Sequence, residues 1–188
     1  MIRDNPPRIQ ANVLSMDGLI ASTARADCGA LALFAGTVRD HHEGRSVSRL
    51  HYSAYAPVAE RLIREIEVEI AQRFQVPVCR AIHRVGALDI GETAIIAVAR
   101  GAHRAETFGA MQALVEAVKH RVPIWKEEFY TDGSRAFVNG CTLLAADELP
   151  AAASRLHCTP TQSQADAPSP QPNTALDPAT YQTSPMDA

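Results

Sequence analysis

Hydrophobic and polar positions change period several times along this chain. Residues 8–14 (RIQANVL) alternate polar and apolar, the pattern of a half-buried strand. Gly29 to Val38 (GALALFAGTV) is a run of small and apolar residues that predicts a buried strand. It passes into Arg39-Asp40-His41-His42-Glu43-Gly44, which reads as a polar loop closed by glycine. Further strands are predicted at 47–55, 78–85, 93–99 and from Ile124 to Tyr130. Asp132-Gly133 then supplies a hairpin turn before a short run from Arg135 to Val138.

Two stretches carry helical spacing instead. In the first, Pro57 suits an opening turn, and Leu62, Ile63, Ile66, Ile70 and Phe74 fall on one face. The second runs from about His103 to Lys119. Its expected apolar stripe is Phe108, Met111, Leu114 or Val115, and Val118, and Pro123 prevents its continuation. Strands and helices without strict β-α alternation predict an α+β fold.

Composition adds a boundary. Six of the twelve prolines fall between Pro160 and Pro185, among Gln, Ser, Thr, Asp and Ala. Such a segment has too few large apolar side chains to offset its ordering entropy. Residues 1–150 are therefore expected to hold the folded domain, and 151–188 a disordered tail. At 188 residues, 46% hydrophobic and 21% charged, the chain suits one globular domain. A net charge of −3 gives no bulk attraction to nucleic acid, so any cationic site must be local. No apolar run approaches the roughly 20 residues of a membrane span, and Pro6, Pro7 and charges interrupt the N-terminal stretch. The expectation is a cytoplasmic protein. Cys28, Cys79, Cys141 and Cys158 form no C-x-x-C pair, and Cys28 and Cys79 read as small buried hydrophobes.

Candidate chemistry gathers at five places. Arg39 follows directly on a buried strand, where a side chain can be held on a rigid base; the alternative is a solvated hairpin arginine. The His41-His42 pair lacks a carboxylate or cysteine at a familiar ligand spacing, so no metal is expected. His103 and Arg104 begin a helix, where positive charge is disfavoured unless an anion such as phosphate binds nearby. Lys119, His120 and Arg121 end the same helix, where the dipole welcomes cations. Lys126 lies in strand-like VPIWKEEFY and shares a face with Glu128 and Tyr130. It reads either as a partly desolvated lysine suited to proton transfer or as an edge lysine paired with Glu127 or Glu128. His103 and Lys119 stand about 24 Å apart along a helix. One small substrate cannot touch both within one chain, so either there are two sites or a two-fold dimer brings the two ends together.

GALALFAGTVRDHHEGRSV (29–47), LHYSAYAPVAE (50–60), IHRVGALDIGE (82–92), HRAETF from His103, and LVEAVKHRVPIWKEEFY (114–130) together resemble the MoaE family, the large catalytic subunits of molybdopterin synthase. The resemblance spans most of residues 8–140 and departs at Ser53, where many relatives carry Glu. It implies an α/β hammerhead with an additional antiparallel β subdomain. It also implies a transferase of molybdenum cofactor biosynthesis that installs two dithiolene sulfurs on cyclic pyranopterin monophosphate. The sulfur arrives as a thiocarboxylate on the C-terminal Gly-Gly of a small ubiquitin-like carrier, in a heterotetramer built on a central homodimer. By resemblance, Lys119 and Lys126 are catalytic. The substrate-binding residues are Thr37, Val38, Arg39, His103, Arg104, Lys119, Lys126, Glu127 and Glu128, with no metal or other cofactor. A binding module for a nucleotide-like anion, and a metal-free cyclic phosphoesterase using His103, are the rival readings.

Overall fold

A computed structural model of the chain describes residues 6–138. The expected tail, 151–188, and Cys141 and Cys158 lie outside the described residues. The elements run β1 (Ile9–Gln10), α1 (Met16–Ser22), β2 (Ala30–Thr37), β3 (His41–His42), β4 (Arg45–Ala54), α2 (Ala56–Arg73), β5 (Val78–Arg84), β6 (Gly86–Asp89), β7 (Thr93–Gly101), α3 (Arg104–Arg121), β8 (Ile124–Tyr130) and β9 (Arg135–Val138). This is the mixed α+β arrangement expected.

The strands form two sheets. The first has four strands in the order β1-β5-β7-β2, with β1 parallel to β5 and the rest antiparallel. Both faces of the inner strand β7 are covered, which explains why it reads as an unbroken apolar run, whereas the edge strand β2, expected to be buried, leaves Leu31, Leu33 and Phe34 exposed. On one face, Ala81, Ala97 and Ala99 meet α2 and α3. On the other, Ile82, Ile96 and Val98 pack against Leu14 and Leu19. In α2, Ile63, Ile66 and Ile70 are buried, each contributing about 2 kcal/mol of apolar burial. In α3, Gly109 admits the ring of Phe74, since a Cβ there would stand 2.7 Å from Phe74 Cε1. The second sheet runs β3-β4-β8-β9, with β6 also paired to β4. Its own small core is Val38, Val47, Leu50, Leu88, Ala94 and Tyr130.

Four further expectations needed correction. The alternating segment 8–14 forms only the two-residue β1; the chain then bends and Met16–Ser22 makes a helix. Ser15 caps that helix, its Oγ accepting from Gly18 N at 3.0 Å, and Leu19 is its one buried anchor. Phe108 is 64% exposed, because the buried stripe of α3 runs through Thr107, Ala110, Met111, Leu114, Ala117 and Val118. Cys28 sits before β2 begins and is only half-buried, whereas Cys79 is buried as expected. The loop after Arg39 is itself a hairpin. His41–His42 pairs with Arg45 and Ser46 across Glu43 (φ 48°) and Gly44 (φ 76°), both in the left-handed region that a tight two-residue turn requires.

Candidate active site

Strand β8 lies between β4 and β9, and its alternation places Lys126, Glu128 and Tyr130 on one face. Glu128 is 2% exposed, so its carboxylate must find partners within the protein. It finds three. Lys126 Nζ stands 2.9 Å from Oε1, while His42 Nδ1 at 3.0 Å and the Tyr130 hydroxyl at 2.9 Å meet Oε2. Burial pushes the Glu128 carboxyl up, but hydrogen bonds from Lys126 and Tyr130 and the nearby charges of Lys126 and His42 outweigh it. The net shift is downward, towards the ionised form. Lys126 is thus one half of a sheltered ion pair on an interior strand, rather than an edge lysine.

Two aromatic side chains close the surroundings. Tyr52 of β4 is the register partner of Lys126, and its ring meets that of His83 edge-on at 5.0 Å. Burial, reinforced by the charge of Glu128, raises the Tyr52 phenol to about 12, so the hydroxyl stays neutral near pH 7. The ring of Tyr130 carries the Arg45 guanidinium at 3.4 Å. Arg45 in turn reaches Asp132 at 3.2 Å and Ser134, which ties the β3–β4 hairpin to the β8–β9 turn.

Arg39 is launched from a pinned backbone. The register of β2 against β7 slips between Gly36 and Thr37, and a bulge of this kind re-aims the residues that follow. Val38 is buried; its N–H donates to Glu92 O at 3.0 Å and its carbonyl accepts from Gly91 N at 2.9 Å. Thr37 and Arg39 on either side are exposed. The two histidines that follow diverge, His41 to Asp40 at 2.6 Å and His42 to Glu128. Among the described residues no cluster of His, Cys, Asp or Glu is arranged to hold a metal ion.

Helix α3 separates the remaining candidates. His103 and Arg104 lie exposed at its start. There the Glu106 carboxylate already accepts from His103 N at 2.9 Å, so the helix carries its own anion and the cations need no external one for balance. Lys119 is exposed in the last turn, where His120 pairs with Glu116 and Arg121 with Glu69. At 18 residues the helix is about 27 Å long, which keeps its ends apart within one chain. Glu127 turns to the opposite face of β8 from Lys126 and lies 3.4 Å from Arg135. The fold therefore joins Lys126 to Glu128 and adds His42, Tyr52 and Tyr130, which were absent from the expected site. Period-two spacing from Lys126 points to Tyr130; the His41-His42 pair stands out in the sequence only as a metal candidate, and no local signal ties His42 or Tyr52 to Lys126.

The family model described as MoaE protein matches residues 9–121. The molybdopterin synthase catalytic subunit of Homo sapiens is 38% identical over 124 residues, which make up 66% of this chain and 66% of that protein. Molybdopterin synthase catalytic subunit 1 of Mycobacterium tuberculosis is 36% identical over 127 residues, spanning 68% of this chain and 86% of that protein. The crystal structure of molybdopterin synthase from Staphylococcus aureus aligns with a TM-score of 0.67 at 28% identity, covering 70% of this chain and 95% of that one. The chain belongs to the MoaE family.

Proposed function

We propose that this chain is the catalytic subunit of a molybdopterin synthase, moving sulfur from a thiocarboxylated carrier protein onto cyclic pyranopterin monophosphate. The observation that carries the reading is the sheltered Lys126–Glu128 pair, set on the second sheet of a MoaE-family chain. In each transfer a C–S bond forms at a side-chain carbon of the pterin as a C–O bond there breaks, one oxygen staying on phosphorus as the cyclic phosphate opens and the other leaving as water, while the sulfur departs from the carrier's terminal acyl carbon. Water supplies the oxygen that returns that carbon to a carboxylate. Both reactants are anionic, so their approach needs fixed positive charge.

Arg39, His103 and Arg104 are assigned to the substrate phosphate, since a guanidinium binds an oxyanion at two points. Thr37 and Val38 shape the backbone beside Arg39. Lys119 and Lys126 are assigned to proton transfer and to stabilising the acyl-linked intermediate, with Glu128 orienting Lys126 and Glu127 at the margin. The length of α3 supports a homodimer in which one subunit's His103 and Arg104 stand beside the partner's lysines. The carrier, a small ubiquitin-like protein ending in Gly-Gly, completes a heterotetramer. The cytoplasm is the proposed compartment, because a thiocarboxylate and a dithiolene both need reducing surroundings.

The test is conversion of cyclic pyranopterin monophosphate by the purified chain with thiocarboxylated carrier, beside Lys119→Ala and Lys126→Ala. Dithiolene product from the wild type and little from either variant is the expected outcome. No product with a carrier competent on another synthase sinks the reading. Mixed dimers of Arg104→Ala and Lys119→Ala subunits should regain activity in part; absence of any complementation removes the shared-site arrangement.

A further inference from the structure

We propose that His42 is a positioning residue for Lys126, acting through the second oxygen of Glu128. The proposal rests on the assignment of Lys126 to proton transfer. Glu128 has two oxygens and they are used differently. Oε1 faces the lysine ammonium at 2.9 Å, whereas Oε2 accepts from the Tyr130 hydroxyl at 2.9 Å and has the His42 imidazole nitrogen Nδ1 against it at 3.0 Å. A carboxylate on a free side-chain torsion would share both oxygens with the lysine. The Tyr130 hydrogen bond and the His42 ring held against Oε2 restrict that torsion and leave Oε1 aimed at Nζ.

The chemistry of the pair assigns the tautomer. An ionised carboxylate only accepts, so the His42 nitrogen facing it, Nδ1, must carry the proton. Tyr130 alone is a weaker anchor, because it sits on the same strand as Glu128 and moves with it. His42 comes from a different element and ties the carboxylate to the β3–β4 hairpin. Arg45, its register partner, covers the Tyr130 ring from the same hairpin. The charged and titratable groups around Glu128 are then Lys126 and Tyr130 on β8, His42 on β3, and Tyr52 and Arg45 on β4. The hairpin that follows Arg39 thus holds a second group of the site, and the orientation of Lys126 depends on a turn some eighty residues earlier in the chain.

The test compares His42→Ala with His42→Asn in the full chain. The Asn amide can place an N–H near the position of Nδ1, and both substitutions open the same space. Turnover with thiocarboxylated carrier is expected to fall on the order of tenfold in kcat for His42→Ala, with KM for the pterin little changed. His42→Asn should recover most of that loss. The second readout needs no turnover: trace acetylation of Lys126 by acetic anhydride, quantified by mass spectrometry against Lys119 in the same sample. His42→Ala should label Lys126 on the order of threefold faster, and His42→Asn at close to the wild-type rate. Labelling of Lys126 in His42→Ala at the wild-type rate, or equal acceleration in the Ala and Asn variants, overturns the proposal. If Lys126→Ala keeps full turnover, the catalytic assignment of that lysine fails instead, while the labelling comparison still decides what His42 does.

Discussion

Lys126 Nζ and Glu128 Oε1 stand 2.9 Å apart on a single strand, with the carboxylate side chain 3% exposed and the lysine 20%. Strand pleating alone brings their Cβ atoms onto the same face. Burial makes the contact matter, because a carboxylate with little access to water depends on its protein partners. Replacing Glu128 by Gln keeps the shape and removes the charge, leaving Lys126 without its counter-ion. The expected result is a loss of about 2 kcal/mol in stability and at least a tenfold fall in kcat/KM. Urea titration and turnover of the Glu128→Gln variant check both figures, and a variant with wild-type values would remove Glu128 from the site.

A second buried pair governs the fold rather than the site. Arg8 and Glu67, 59 positions apart, meet through Nε–Oε1 at 2.8 Å and Nη2–Oε2 at 2.7 Å, and both residues are buried. Arg80 Nη1 at 3.0 Å and Ala81 N at 2.9 Å complete the carboxylate. This one side chain of α2 therefore ties β1 to β5. Glu67→Ala should cost about 3–5 kcal/mol, since it takes a two-point carboxylate away from a buried guanidinium. The double variant Arg8→Met, Glu67→Leu should recover most of that loss in chemical unfolding. If it is no better than Glu67→Ala, the cost does not come from the loss of the carboxylate beside the buried guanidinium.

His83 makes stability depend on pH. Burial holds its imidazole down at about 4, although the bond from Nδ1–H to the Arg84 carbonyl pulls the other way. The unfolded chain takes up the proton near pH 6.5, about where a free histidine titrates. Between those values the unfolded state binds more protons than the folded one. The contribution is therefore complete above about 6.5 and is lost as pH falls towards 4, on the order of 3 kcal/mol in all. Unfolding midpoints of the wild type and His83→Phe measured from pH 7 to 4.5 should converge as the pH drops. Parallel curves would show that this histidine does not titrate on unfolding.

The turn beneath His42 is suboptimal. Glu43 adopts φ 48° beside Gly44, in a two-residue turn that favours Asn-Gly. Glu43→Asn should stabilise the chain by about 0.5–1 kcal/mol, since asparagine tolerates the left-handed region better than glutamate. A thermal midpoint that stays the same or falls would mean that the Glu43 side chain makes up for its backbone strain.

Local pattern was enough for several elements. The spacing of Ile63, Ile66 and Ile70 announces the buried face of α2, and all three are buried. The alternation of Lys126, Glu128 and Tyr130 announces one face of β8, and Asp132-Gly133 announces the turn after it. These signals survive because each depends on a period set by the backbone itself. The motifs from residue 29 to residue 130 also carried the family.

Other features depend on which distant residues meet. The helix at Met16–Ser22 is seven residues with one buried side chain, too short for a stripe to show. Phe108 looks like part of an apolar face, yet the buried face of α3 is built largely from smaller side chains that let the helix approach the sheet. Two-residue β1 and four-residue β6 exist through their pairing with β5 and β4, which no local propensity encodes. In the same way Lys126, Glu128 and Tyr130 are written within one seven-residue strand. That the carboxylate between them is shut off from water, and takes its third partner from His42, was decided by the pairing of β3 with β4 and of β4 with β8. Side-chain period is a property of the chain, whereas burial and long-range pairing arise only when the sheets close.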